Sequence, residues 1–283
     1  MENARKLEPE DAAGAGEASV AIAWLKAAFP EIACSLTPDK DMQFPSAFWA
    51  EGSADVEACL AYQSRFGAGM DDKLRAAHLI AFYSHQFSLA AAAIYLCSGR
   101  VADVAGLRFE HYARPLRAGA AEAGRFHFCM RLIEVSGSDP EDADECFHDL
   151  FVAHLKPVIA LLKRHCGLSL RAQWRLAADS LAGVFLEIGR RRGTEAEAIA
   201  QALAIVKRSG SPLSCEALCY ETIEATAADG KELSRTYRMR GGCCLYYRTD
   251  GGSYCDSCVL LEPDARRERL RAHLLETAND KTG

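Results

Sequence analysis

Four of the chain's twelve cysteines fall within sixteen residues near the C-terminus, at Cys243, Cys244, Cys255 and Cys258. The segment reads Arg240-Gly241-Gly242-Cys243-Cys244-Leu245-Tyr246-Tyr247-Arg248-Thr249-Asp250-Gly251-Gly252-Ser253-Tyr254-Cys255-Asp256-Ser257-Cys258, a C-C-x10-C-x2-C spacing. Adjacent cysteines in a plain strand point to opposite faces. If both serve one centre, the backbone must bend at Cys243-Cys244, and the preceding Gly-Gly makes that bend cheap. A hairpin turn at Thr249-Asp250-Gly251-Gly252 would fold Cys244 back beside Cys255, so the four sulfurs converge with little loop entropy to overcome. Two metal readings follow. One is an iron–sulfur cluster on four thiolates. The other is a structural zinc, which also takes four thiolates but usually as two C-x2-4-C knuckles, and only Cys255-x2-Cys258 has that form. Inert core cysteines would follow helical or strand periodicity, which a glycine-flanked C-C does not.

The rest of the chain explains why these are metal ligands rather than half-cystines. At 283 residues, 49% hydrophobic and 25% charged, the chain reads as a soluble globular protein with a full core. Met1 to Gly16 lacks an apolar export segment, so a cytoplasmic location with reduced thiols is expected. Net charge of −6 speaks against a nucleic-acid partner. The most apolar stretch, Leu79 to Cys97, is interrupted by Ser84, His85, Gln86 and Ser88 and reads as a buried core helix rather than a span.

Patterning predicts a mainly α-helical α+β fold: a helical body with short β-hairpins and a C-terminal cysteine-rich, cluster-binding hairpin. Residues 1–16 read as a flexible N-terminus, 17–210 as the helical, substrate-binding body and 211–283 as the cluster module. Helices are expected from Glu17 to Phe29, around 55–66, from an Asp71 cap to Gly99, and after Asp139-Pro140, where Pro157 should kink or divide the helix. The clearest helix puts Trp174, Ala177, Ala178, Leu181, Phe185 and Ile188 on one face. Thr194 and Glu197 form a capping-box pattern, and Asp264 reads as the cap of a last helix. Short strands are expected within 100–135, with Gly119 and Gly124 between them, and at 218–223 and 233–239 around Asp229-Gly230.

The run Cys243-Cys244-Leu245-Tyr246-Tyr247-Arg248, followed by Gly251-Gly252 and Cys255-x2-Cys258, resembles the FhuF-like bacterial ferric-siderophore reductases. The specific match covers about twenty residues; over the body only the layout is shared. The resemblance implies a [2Fe-2S] cluster on Cys243, Cys244, Cys255 and Cys258. It also implies reduction of ferric siderophores, often hydroxamates, on the cytoplasmic side of the inner membrane, where peripheral membrane contact is compatible. The chemistry is coherent, because adding one electron to chelated Fe3+ gives a weaker Lewis acid and loosens the complex. An all-cysteine [2Fe-2S] centre can sit near about −400 mV, and no histidine near the motif raises that potential.

No substrate-contacting residue is implied by the resemblance; Tyr246, Tyr247 and Arg248 are candidates by proximity alone. Arg240 and Arg248 are placed to favour a more negative centre, or else are solvated strand charges. Gly14-Ala15-Gly16 and Gly67-Ala68-Gly69 lack the third glycine and the strand-to-helix setting of a dinucleotide site. Electrons are therefore expected from a separate donor such as a ferredoxin or a reductase. Arg190-Arg191-Arg192 reads as helix-end charge, Trp174, His78 and His85 as core, Cys215 and Cys219 as free thiols, and His273 as no ligand. Two other classes remain open: a siderophore-binding protein with a structural zinc, and an iron–sulfur electron carrier or sensor.

Overall fold

The computed structural model describes residues 9–116, 119–135 and 139–279. The order is α1 (Pro9–Ala28), β1 (Ala33–Ser35), α2 (Pro45–Phe48), α3 (Ala54–Gln63), α4 (Asp72–Ser98), β2 (Val101–Leu116), β3 (Gly119–Ile133), α5 (Pro140–Cys166), α6 (Leu170–Arg192), α7 (Glu195–Val206), β4 (Cys219–Thr226), β5 (Glu232–Met239) and α8 (Pro263–Asn279). The fold is mainly helical α+β.

Helix α4 is the axis of the body. The Asp71 carboxylate accepts from Leu74 N–H at 2.8 Å at its start, and Gly99 ends it in the left-handed conformation. By length and composition α4 could cross a membrane, but most of its apolar stretch is packed inside the fold. Two of its buried polar residues are satisfied there: Ser84 Oγ donates to Ile80 O at 2.6 Å, and Gln86 Oε1 accepts from Phe126 N at 2.8 Å. Tyr83, fully buried, meets His154 Nε2 of α5 at 2.6 Å. Helices α1, α3, α5 and α6 and the sheet pack around it.

The sheet order is β1-β3-β2, with β1 parallel and β2 antiparallel to β3. Strands of 16 and 15 residues replace the short hairpin expected within 100–135. The turn expected around Gly119 and Gly124 lies further forward: pairing closes at Leu116↔Gly119, while Gly124 is inside β3 opposite His111. The second hairpin, β4–β5, matches expectation, with Gly230 at φ +85° in its turn. It packs on α8 to form a separate small core of Ile223, Ala225, Met239, Leu270 and Leu274. Leu213, Cys215 and Leu218 belong to the main core, so the two cores part between Leu218 and Ile223.

Several local expectations are corrected. Helix α1 begins at Pro9 rather than Glu17, and residues 1–8 lie outside the described residues. Pro157 does not divide α5, which runs unbroken for 27 residues. The missing N–H and ring clash cost roughly 3 kcal/mol. Burial of Phe151, Leu155, Val158, Ile159 and Leu162 on both sides offsets it. Thr194 flanks α7 without a side-chain cap, and Asp264 sits inside the first turn of α8, paired with Arg267 at 3.1 Å.

Candidate metal centre

The cysteine segment is not a β-hairpin, because residues 240–262 contain no strand. After Cys244 the chain turns at Leu245, whose φ of +63° is a strained left-handed conformation for a branched residue. Tyr246–Arg248 then form a single 3-10 turn, closed by Thr249 N–H to Tyr246 O at 3.0 Å. Tertiary anchors replace the expected cross-strand ladder.

The first anchor is Asp179, on the apolar side of α6 and only 2% exposed. Its carboxylate accepts from the N–H groups of Gly241 at 2.7 Å and Gly242 at 3.0 Å, and faces Arg240 Nε at 3.5 Å. The close approach needs glycine here: a Cβ on Gly242 would meet Arg175 backbone at 3.1 Å, and one on Gly241 would meet Cys215 Sγ at 2.7 Å. The second anchor is the loop before α4. Asp250 N–H donates to Ala68 O at 2.9 Å, and Arg248 pairs with Asp71 at 2.8 Å. Gly69, at φ +73°, leaves room for the Asp250 carboxylate, which a Cβ would meet at 2.7 Å. Gly67-Ala68-Gly69 is thus a seat for the cysteine loop, a role its sequence does not advertise.

These anchors set the thiols in a half-buried pocket of charge. Cys243, Cys244 and Cys255 are partly exposed and Cys258 is buried. Cys244 and Cys255 are in hydrogen-bond contact, and Arg240 Nη1 reaches both sulfurs, at 3.7 and 3.4 Å. Leu245 N–H points at Cys243 Sγ at 3.4 Å. The bond accepted from the Cys255 thiol pulls Cys244 down to about 5 against burial, with Arg240 helping; the same bond and burial push Cys255 up. Burial works against the Arg240 charge, but Cys244, Asp179 and Cys255 outweigh it and raise its pKa. Cys243 is raised by burial, then lowered by the Leu245 N–H, with Cys258 and Cys244 in electrostatic range. Among the described residues no three His, Cys, Asp or Glu side chains converge as one ion would require. What the loop presents is a thiol pair in contact with two more thiols nearby, ringed by N–H donors. That donor set fits an anionic sulfur-rich centre.

Two family models match the chain: "Ferric iron reductase FhuF-like transporter" over residues 76–216, and "FhuF 2Fe-2S C-terminal domain" over residues 240–260. Together they cover more than half of it. The chain belongs to the FhuF-like ferric iron reductase family. Its cofactor is a [2Fe-2S] cluster. No curated protein and no solved structure matches the chain. The two matched regions of this FhuF-like protein are the two sides of the anchoring just described: Asp179 lies in the first, its glycine partners in the second.

The other sequence candidates fall as follows. Tyr246 and Tyr247 are exposed, at 39% and 36%, and Tyr247 leans on Tyr254 with ring centroids 5.0 Å apart. Arg248 is held in its ion pair with Asp71. Arg190 pairs with Glu195 at 3.0 Å and donates to Thr236 O at 2.7 Å, so it ties α6 to β5 as well as closing the helix. Trp174 is buried. Cys215 is a buried free thiol beside Gly241, and Cys219 is exposed. His85 is not a core residue: it is exposed and faces a cleft. His78, bonded to Gln63 at 2.9 Å, comes within electrostatic range of Cys244 and Arg240, so a histidine distant in sequence does approach the centre. Sequence reasoning missed Asp179. Its signal was a lone carboxylate between Ala178 and Ser180 on an apolar helix face, which demands a buried partner.

Proposed function

We propose that the chain reduces siderophore-bound Fe3+ by one electron in the cytoplasm, and that Cys243, Cys244, Cys255 and Cys258 hold its [2Fe-2S] cluster. The observation that carries this reading is the Arg240 guanidinium in reach of the Cys244 and Cys255 sulfurs, backed by buried Asp179, on the loop matched as a 2Fe-2S domain. A bound cluster supplies a low-potential one-electron couple.

The chain's own residues supply the setting. Arg240 offsets negative charge on the sulfurs, and Asp179 fixes Arg240 while holding Gly241 and Gly242 by their N–H groups. Leu245 N–H adds a donor on the Cys243 side. Helix α6 and the residues before α4 pack against one side of the loop, while Tyr246, Tyr247 and Tyr254 are exposed on it. No acid, base or nucleophile is required, since the substrate iron gains an electron and no bond to the protein. The electron comes from a separate protein donor such as a ferredoxin or reductase. The substrate is a ferric siderophore, with hydroxamates the expected type, and Tyr246, Tyr247 and Arg248 remain contact candidates. We place the boundary between body and cluster module between Leu218 and Ile223, where the two hydrophobic cores part, rather than at 210, with peripheral contact at the inner membrane.

The test is anaerobic purification followed by visible and EPR spectra before and after dithionite, with iron, sulfide and zinc analysis. A red-brown protein with an S = 1/2 signal only on reduction, which then reduces ferric trihydroxamates, is expected. Replacing Cys255 or Cys258 by Ser should remove colour and chelate reduction together. A colourless protein with stoichiometric zinc after reconstitution, or a colourless variant that still reduces chelate, would sink the proposal.

A further inference from the structure

Beside the cysteine loop, β5, α6 and α8 flank an open cleft of about 510 Å³ whose wall includes Cys255. That volume is in the range of small-molecule sites. Three guanidiniums line it: Arg190, Arg235 and Arg238. Two carboxylates oppose them, Glu187 and Asp256. Glu187 is already engaged by Arg190 at 3.5 Å and Arg191 at 2.9 Å. Arg190 is neutralised in the same network by Glu187 and by Glu195 at 3.0 Å, so Arg235 and Arg238 against Asp256 leave the cleft with one net positive charge.

Its donors are also incompletely used. Arg235 Nε, Arg238 Nε and the Tyr237 hydroxyl are buried without a hydrogen-bond partner in the protein, and all three residues line this one cleft. A buried polar group without a partner is costly, so three in the residues of one cleft call for acceptor oxygens. A ferric siderophore turns its metal donors inward, and what it presents to such groups is peripheral amide carbonyl oxygen and, in acidic chelates, a free carboxylate.

We propose that the ferric chelate docks in this cleft against Cys255, and that Arg235, Arg238 and Tyr237 select chelates carrying negative charge over neutral ones. The proposal rests on the ferric reductase reading and adds the docking face and substrate charge. The step is balanced simply: Fe3+ in the cleft takes one electron and becomes Fe2+. The electron is supplied by an external one-electron reductant by way of the cluster, and no proton moves and no bond to the protein forms. The competing face is the exposed Tyr247–Tyr254 pair.

The test uses the cluster-loaded protein and redox-inert Ga3+ complexes of N-succinyl and N-acetyl desferrioxamine B, which share their metal donors and differ by one carboxylate. Wild type should bind the succinyl complex more tightly. Arg235→Gln should weaken that complex about tenfold, the worth of one charge-assisted contact, and move the acetyl complex far less. Arg235→Lys should restore part of the preference, and an unchanged EPR signal in each variant reports an intact loop. The proposal is overturned if neither Ga3+ complex binds or if Arg235→Gln leaves the preference intact. Loss of binding in Tyr247→Ala rather than in Arg235→Gln also overturns it, as does an Arg235→Gln variant that slows only reduction by a protein donor. If the Ga3+ complexes bind as expected while the reduced protein reduces neither Fe3+ counterpart, the cleft stands and the reductase reading falls.

Discussion

Replacing Asp179 by Ala removes the acceptor for two buried N–H groups and strips Arg240, whose side chain is 14% exposed, of its carboxylate. Each orphaned donor costs about 1–3 kcal/mol. Breaking a buried ion pair from one side costs about 3–5 kcal/mol. Because one carboxylate makes all these contacts, the penalties overlap, and a total of about 3–5 kcal/mol is expected. At about 2 °C per kcal/mol for a chain this long, the thermal midpoint of the loaded protein should fall by about 6–10 °C. Asp179→Asn keeps one carbonyl oxygen for one glycine N–H and should lose about half as much. The charge change predicts a second readout. With Asp179 gone, Arg240 is unopposed beside the Cys244 and Cys255 sulfurs, which favours the more negative state of the centre, so its midpoint potential should rise. The assays are anaerobic thermal unfolding by circular dichroism and an EPR-monitored redox titration. An Asp179→Ala variant that melts within about 2 °C of wild type and keeps its potential would refute the assignment of Asp179 as the loop's anchor.

Other perturbations separate strong contacts from weak ones. Arg240→Gln should lower the midpoint potential, the opposite sign to Asp179→Ala, in the same titration. Arg248→Ala breaks an exposed ion pair, 42% and 48% accessible, and should cost no more than about 1 kcal/mol. Asp71→Ala also removes the α4 cap and should cost about 1 kcal/mol more, seen as a larger drop in melting temperature. Burial holds His154 near pKa 4, against an ordinary value of 6.5. The unfolded chain therefore takes up that proton first, and stability present at pH 7 should fall by about 3 kcal/mol as pH drops from about 6.5 to about 4. His154→Gln should flatten that part of the stability profile measured by denaturant unfolding.

Where local chemistry decides an element, the amino-acid pattern predicted it. Asp71 and Gly99 bracket α4, the Asp229-Gly230 turn makes β4–β5, and the segment that drew attention for its four cysteines is the one matched as a 2Fe-2S domain. Where tertiary contacts decide, it did not. The cysteine loop bends at Leu245, a residue with no turn preference, because the loop is fastened to α6 and to the residues before α4 rather than to itself. Pro157 is carried through α5 by burial on both sides of it. Gly67 and Gly69 matter through Thr249 and Asp250, which no local window connects to them. Asp179 was visible only as a charge out of place on an apolar stripe.

The fastening has a consequence for biosynthesis. Arg248 reaches back 177 positions to Asp71, and Gly241 reaches back 62 to Asp179. A ribosome delivers both receiving surfaces before the thiols leave the exit tunnel, and domains fold as they emerge. The cysteines thus arrive at a scaffold already in place, and assembly factors meet a prepared cradle instead of a loose, oxidisable thiol tail.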